Sequence, residues 1–415
     1  MERLKVSKSV VQGTINLSGA KNSALRLLAA SILTSDEVVL KRYPSKLLDA
    51  QIHVQMLEKL GKKCEVEDES ILIAEGELNT ELNWEDRSIR NTLLILGALT
   101  ARKGSGSVPL PGGCKLGNRA YDLHEMLLRK LGAEVWEEDG QLCAAAPDGG
   151  LVGADIYLPI RSTGATENAI ICGSLAKGVT RIWNPHIRPE IIDLINMLKS
   201  MGAEIVVYGQ ERIDVSGVTS LSGTTHVVIP DNMEAITWLV ASVMTNGDVE
   251  IVDFPLMDLE VPLIHLRESG AKFYVGDNSL IVRGGRCFPL EISTGPHPGI
   301  NSDVQPILAA YAACAEGNSS IVDLRFPGRY GYAEEMSKMG LSSHVEGNLL
   351  RIEGLGGALV GANVTALDLR AGMALLLCGM RAEGVTTIEN AWQIFRGYND
   401  LESKLSALGV NFELE

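Results

Sequence analysis

A chain of 415 residues, 46% hydrophobic and 21% charged, is too long for one growing core and has the composition of a soluble globular enzyme, so two domains are expected. A net charge of −15 and an aromatic content of 5% argue against a phosphate-backbone footprint and a base-stacking platform, so no nucleic-acid partner is expected. No run reaches 18 apolar residues, the opening Met1-Glu2-Arg3-Leu4-Lys5-Val6 has no apolar leader segment, and the seven cysteines lack CxxC spacing. The expectations are a cytoplasmic protein with no membrane insertion, no disulfide framework and no metal.

The β-rich run at 10–17 is expected to join the C-terminal domain, with a hinge near Gly19. Lys21 and Asn22 then open the first long helix. From there one unit returns six times: a helix ending in glycine, a strand, a tight polar turn and a second strand. The glycines are Gly61, Gly132, Gly202, Gly270, Gly340 and Gly409, spaced by 71, 70, 68, 70 and 69 residues. Each follows the last helical turn, where a left-handed residue is wanted. Asp139-Gly140 and Gly276-Asp277-Asn278 between β-rich runs are hairpin signals. A second helical stretch in each unit, as at 91–98, 169–176 and 304–315, is apolar on several faces and belongs inside, with sheets outside. The fold class predicted is α/β, built from α+β repeats: a two-domain inside-out αβ barrel or prism of six units. One domain spans 20–228 with three repeats; the other takes 1–19 and 229–415. An open solenoid is the alternative, but the units lack the capping asymmetry of an open array.

Residues 108–119 form a loop by turn chemistry and carry Cys114 between Lys115 and Arg119. A positive field lowers a thiol pKa, so Cys114 is either a reactive thiol or part of a solvent-facing turn. Cys172, Cys314 and Cys378 lie in apolar runs and read as small buried hydrophobes. Arg119, Arg329 and Arg396 fall in irregular segments upstream of the repeated glycines, while Lys21 and Arg370 stand at the heads of apolar helices. An unpaired buried cation there is costly, which favours a shared anion site. Asp303 is either an N-cap or a carboxylate that accepts a proton from a substrate hydroxyl; Asp231 and Asp368 carry the same ambiguity.

Several segments together resemble the UDP-N-acetylglucosamine 1-carboxyvinyltransferase branch of the enolpyruvyl transferase superfamily. They are Ser18-Gly19-Ala20-Lys21-Asn22-Ser23-Ala24, Leu110-Pro111-Gly112-Gly113-Cys114, Gly117-Asn118-Arg119, Asp122-Leu123-His124 and Gly164-Ala165-Thr166-Glu167-Asn168. Pro296-His297-Pro298, Asp368-Leu369-Arg370-Ala371 and Arg396-Gly397-Tyr398 complete the set, in family order over essentially the full length. The resemblance implies two domains closing on phosphoenolpyruvate and UDP-N-acetylglucosamine or a related nucleotide, with enolpyruvyl passed to the sugar 3-hydroxyl and phosphate released. It implies no cofactor, a place in peptidoglycan synthesis and inactivation by fosfomycin. Lys21, Arg119 and Arg396 match phosphoenolpyruvate-binding residues, supported by Asn22, Arg90 and Arg370. Cys114 matches the loop cysteine that protonates the substrate methylene, and Asp303 the residue that takes the hydroxyl proton. Asp122, Leu123, Ser162 and Gly164 match the nucleotide-facing segment, and Arg325, Arg329 and Asp368 complete the substrate-binding set.

This sequence also departs from the family pattern. Arg188 stands for a glutamate, Asn232 for an arginine, Arg325 for a small apolar residue, and Pro327-Gly328 for a glutamate–asparagine pair. Gln393 and Asn399 replace a histidine and a glutamate around Arg396. The phosphoenolpyruvate half is intact and the acceptor half is altered, so a divergent transferase using another nucleotide or nucleotide sugar is an alternative, and a non-catalytic repeat scaffold a further one.

Overall fold

Six stretches of this chain are apolar on nearly every face, and each forms a helix whose residues are almost all buried: Lys21–Ala30, Thr92–Lys103, Thr163–Gly173, Asn232–Thr245, Gln305–Ala313 and Leu369–Arg381. The computed structural model describes residues 2–86, 90–110 and 121–415; Cys114, Lys115 and Arg119 lie outside them. The chain divides into two compact units. The first is Gly19–Ile229, and the second combines Met1–Ser18 with Pro230–Glu415. Each has its own hydrophobic core, built around three of the buried helices. The architecture is α+β.

In the first unit, Thr92–Lys103 packs against both Lys21–Ala30 and Thr163–Gly173. Three sheets cover these helices. The first runs Thr224–Val227, Val38–Lys41, Ser70–Ala74, Lys63–Glu67; the second Ser105–Pro109, Gln141–Ala145, Glu134–Glu138; the third Glu204–Tyr208, Arg212–Ser216, Val179–Trp183, Asp155–Tyr157. The strand from the end of the unit, Thr224–Val227, pairs in parallel with Val38–Lys41 near its start, with Thr224 opposite Val38.

In the second unit the three buried helices all touch one another. The sheets are Ala271–Val275, Ser279–Gly285, Asp248–Val252, Gln12–Asn16; then Glu291–Ser293, Glu316–Val322, Leu349–Leu355, Ser342–Glu346; then Asn363–Thr365, Val385–Glu389, Arg3–Ser7, Phe412–Leu414. The β-rich run at 10–17 is the strand Gln12–Asn16, parallel to Asp248–Val252 in the second unit. Arg3–Ser7, which the sequence reading did not single out as a strand, lies between two antiparallel neighbours with Leu4 and Val6 turned into the core.

The repeated glycines behave as the turn chemistry demands. Gly61, Gly132, Gly202, Gly270, Gly340 and Gly409 all have positive φ, between 71° and 103°, just past the amphipathic outer helices. Asp139 and Gly140 are both left-handed, the backbone of a two-residue hairpin joining Glu134–Glu138 to Gln141–Ala145. Helix bounds shift from the sequence estimate: the stretch expected at 169–176 begins six residues earlier, at Thr163, where Ser162 caps it. Among the described residues no helix is long and apolar enough to cross a membrane.

Gly97 sets how closely two buried helices of the first unit approach. A Cβ there would collide with the Asn168 side-chain oxygen and stand 2.9 Å from the Cys172 sulfur. Asn168 cannot swing away without breaking its bond to His124. Gly97→Ala is therefore expected to destabilise the protein by about 1–3 kcal/mol, the usual cost of overpacking, read as a lower urea midpoint. Wild-type stability in this variant would mean that the helices part freely.

Candidate active site

Lys21 is the first residue of the helix Lys21–Ala30, and its ammonium is nearly buried. Nζ lies 2.7 Å from Asp49 Oδ2, a carboxylate equally hidden in the first turn of the helix Leu48–Lys59. The cation at this helix head is thus paired, by a residue the sequence reading passed over. One turn on, Arg26 donates from Nε to Glu167 Oε1 at 2.6 Å and from Nη1 to Asn22 Oδ1 at 3.4 Å. Burial raises the Glu167 pKa, and Arg26 pulls it partly back. Arg188, which stands for a family glutamate, forks onto Glu190 with contacts of 2.7 and 2.8 Å. Burial opposes ionisation of Glu190, but the Arg188 charge and hydrogen bonds outweigh it and hold the carboxyl below its ordinary value. The charge introduced at position 188 is answered at the start of its own helix, Pro189–Ser200.

Beside this cluster two histidines, 71 residues apart, repeat one arrangement. Asn91 Nδ2 donates to His53 Nδ1 at 3.0 Å and to the Leu25 carbonyl at 2.5 Å. Asn168 Nδ2 donates to His124 Nδ1, also at 3.0 Å. A ring nitrogen that accepts from an amide carries no proton, so both imidazoles are neutral. Burial pushes each pKa down to about 3, helped by Arg26 at His53 and by Arg90 at His124. The Arg90 guanidinium is itself disfavoured by burial and supported by Asp122. Gly164 leaves room for the His124 ring, since a Cβ there would stand 3.1 Å from Nε2. Ser162, Gly164, Asp122, Leu123, His124 and Arg90 therefore belong to one neighbourhood of the first unit.

In the second unit Arg370 is the second residue of its helix and only 2% exposed. Its guanidinium lies over the Tyr398 ring, 5.3 Å from the centroid. Burial works against its charge, yet Tyr398, Asp303 and Asp231 together raise its pKa. Nε and Nη1 of Arg370 nevertheless have no hydrogen-bond acceptor, and neither has Nε of Arg329. Arg329 Nη1 donates to Asp303 at 2.7 Å, and Nη2 lies 3.8 Å from Asp368. Asp231 and Asp368 are side-chain N-caps, each accepting from two backbone N–H groups. Asp303 is not: its helix starts at Gln305 without a side-chain cap, and the carboxylate, 31% exposed, pairs with Arg329. Asn232 Oδ1 is buried without a donor. Arg325 is exposed, near the Phe326 ring.

Arg396 ends a short 3-10 helix, Ala391–Arg396, rather than lying in irregular chain. Its Nη1 donates to Gln393 at 3.0 Å, and its guanidinium stands 5.9 Å from the Trp392 ring centroid. The first unit thus brings together Lys21, Asn22, Asp49, Arg26 and Glu167, and the second Asp303, Arg329, Asp368 and Arg370. Each collects cations at the heads of apolar helices, the chemistry of anion recognition. Five of the six described cysteines are poor nucleophiles: burial pushes Cys64, Cys287 and Cys378 up to about 12 and raises Cys172 and Cys314 as well.

Comparison with known proteins gives a consistent set of similarities. The family model for EPSP synthase (3-phosphoshikimate 1-carboxyvinyltransferase) matches residues 6–405. A UDP-N-acetylglucosamine 1-carboxyvinyltransferase of Zymomonas mobilis is 39% identical over 424 residues, covering 100% of this chain and 99% of the relative. Another, from Carboxydothermus hydrogenoformans, is 40% identical and covers 97% and 96%. Among solved structures, the enolpyruvyl transferase NikO of Streptomyces tendae superposes with a TM-score of 0.88 at 24% identity, covering 99% of this chain and 98% of that one. EPSP synthase of Acinetobacter baumannii gives 0.74 at 17% identity, covering both chains fully. These two likenesses are of fold.

The neutral histidines make stability depend on pH. His53 in the unfolded chain takes up a proton near 6.5, whereas in the folded state it does so only near 3. Its contribution is present above pH 6.5 and is lost as the pH falls toward 3, at up to about 1.4 kcal/mol per pH unit. The urea-unfolding free energy of His53→Gln, measured from pH 6 to 4, should therefore fall less steeply than that of the wild type by about that amount. Parallel slopes would contradict a neutral, buried His53.

Proposed function

We infer the activity from kinship: the chain belongs to the UDP-N-acetylglucosamine 1-carboxyvinyltransferase branch of the enolpyruvyl transferase family. On that premise it transfers the enolpyruvyl group of phosphoenolpyruvate to the 3-hydroxyl of UDP-N-acetylglucosamine and releases phosphate, a step toward peptidoglycan. The observation that carries this reading is the Arg370 guanidinium, 2% exposed, with two nitrogens lacking an acceptor and the partly exposed Asp303 close enough to raise its pKa. A buried cation with unused donors calls for an anionic ligand, and a carboxylate beside it suits removal of a hydroxyl proton.

The residue roles follow from the reaction. Lys21, Arg119 and Arg396 hold the phosphate and carboxylate of phosphoenolpyruvate, with Asn22, Arg90 and Arg370 in support. Cys114 delivers a proton to the methylene carbon, which leaves the neighbouring carbon electron-poor. The sugar oxygen bonds to that carbon as Asp303 takes the hydroxyl proton. The methyl group then returns a proton to the Cys114 thiolate as the C–O bond to phosphate breaks, which releases phosphate and restores the double bond in the enolpyruvyl ether. Asp49 holds the Lys21 ammonium in place, a role supported by their 2.7 Å contact. Asp122, Leu123, Ser162 and Gly164 face the nucleotide, and Arg325, Arg329 and Asp368 complete the acceptor side. The finer fold reading, in which each unit closes into an inside-out prism, is supported by the parallel pairing of Thr224–Val227 with Val38–Lys41.

A second reading, a different nucleotide or nucleotide sugar as acceptor, is favoured by Asn232, whose buried side-chain oxygen has no donor where the family has an arginine. Against it, Arg188 is occupied by Glu190.

Product analysis separates the two. Purified protein with phosphoenolpyruvate and UDP-N-acetylglucosamine should release phosphate and yield the enolpyruvyl ether; release with another nucleotide sugar and none with this one would select the second reading. Asp303→Asn should lower kcat about a hundredfold while changing KM far less, as expected of a group needed mainly for proton transfer. Equal losses in both would assign Asp303 to binding alone.

Cys114 should be alkylated before the six other cysteines, whose described thiols are hidden or held protonated, and Cys114→Ser should abolish inactivation by fosfomycin. Peptide mass mapping reads the order; earlier labelling of Cys64 or Cys287 would overturn the assignment.

A further inference from the structure

Asp323 is 0% exposed, and it accepts four hydrogen bonds. Its Oδ1 receives the Thr294 hydroxyl at 3.0 Å, the Arg325 N–H at 2.9 Å and the Phe326 N–H at 3.0 Å. Its Oδ2 receives the Ser302 hydroxyl at 2.6 Å. Thr294 in turn accepts the Leu324 N–H at 3.0 Å, and Asp323 donates its own N–H to Tyr330 Oη at 2.8 Å. A buried carboxylate with this many donors is held rigidly.

The donors flank the Asp303–Arg329 ion pair described above. Ser302 immediately precedes Asp303. The N–H groups of Arg325 and Phe326 open the turn that leads to Arg329, whose guanidinium lies 5.7 Å from the Phe326 ring centroid. Tyr330, bonded to the Asp323 N–H, immediately follows Arg329. One carboxylate therefore ties together the two segments that must meet for Arg329 Nη1 to reach Asp303 at 2.7 Å. Asp303 does not serve as the side-chain cap of its helix. We propose that Asp323 is a positioning residue that fixes Asp303 against Arg329 for removal of the acceptor hydroxyl proton. The inference rests on the proton-accepting role given to Asp303 under the proposed function. Asp323 touches no substrate in this account and acts through Ser302 and the 325–329 turn.

The test is a double-mutant cycle, read in kcat and in KM for phosphoenolpyruvate. Asp323→Ala should lower kcat roughly thirtyfold with KM within about threefold, since the misplaced group is needed in proton transfer. Asp323→Asn keeps the acceptor for three donors, and Ser302 can reverse its hydrogen bond, so this variant should retain kcat within about fivefold of wild type. In an Asp303→Asn background, Asp323→Ala should cost less than about twofold further, because its target is already disabled. Full additivity would make Asp323 a general structural residue and overturn the proposal, as would unchanged kcat in Asp323→Ala. A crystal structure of Asp323→Ala supplies a readout independent of turnover: Ser302 and the 325–326 backbone should shift and the Asp303–Arg329 contact should open. An intact contact would overturn the positioning role even if the wild type proved inactive toward UDP-N-acetylglucosamine, an outcome that by itself would refute only the acceptor.

Discussion

A full positive charge at the head of an apolar helix is the constraint on which the site depends. Such a group loses its water on folding and must find compensation in fixed carboxylates or in a ligand. Lys21 finds it in Asp49 at 2.7 Å, while Arg370 shares the field of Asp303 and Asp231, lies over Tyr398 and keeps two nitrogens without an acceptor. The two solutions differ in kind: the ammonium is paired, and the guanidinium is partly unsatisfied.

The fold makes that placement possible. Because the central helices are buried on almost every side, polar chemistry concentrates at their ends and in the turns that precede them. Asp231 and Asp368 satisfy free N–H groups at the heads of their own helices, while Asp303 does not cap its helix and pairs with Arg329. The outer helices and sheets supply the remaining partners: Asp49 comes from an outer helix, and Asp323 from the end of the strand Glu316–Val322.

What could be read in advance follows from the range of each interaction. The six glycines were legible because a left-handed residue after a helix is a local demand, met at every one of them with positive φ. Apolar helices were legible for the same reason, but the choice between N-cap and free carboxylate at Asp231, Asp303 and Asp368 needed coordinates. The strand Arg3–Ser7 escaped because five residues of alternation are a weak signal and its partners, Val385–Glu389 and Phe412–Leu414, lie at the far end of the chain. Asp49, Glu167 and Asp323 escaped because a carboxylate advertises nothing about which distant cation or hydroxyl it meets. Glu167 finds Arg26 across 141 positions. The family resemblance supplied roles for Lys21, Asp303 and Arg370, but not the groups that hold them in place.

The central claim is that the unused donors of Arg370 await an anionic substrate. Titration calorimetry of phosphoenolpyruvate against the wild type and Arg370→Met tests it most directly, with urea unfolding to show that the variant is folded. Losing a charged hydrogen-bond donor should weaken binding by about tenfold or more. Equal affinity in the two proteins would contradict the account.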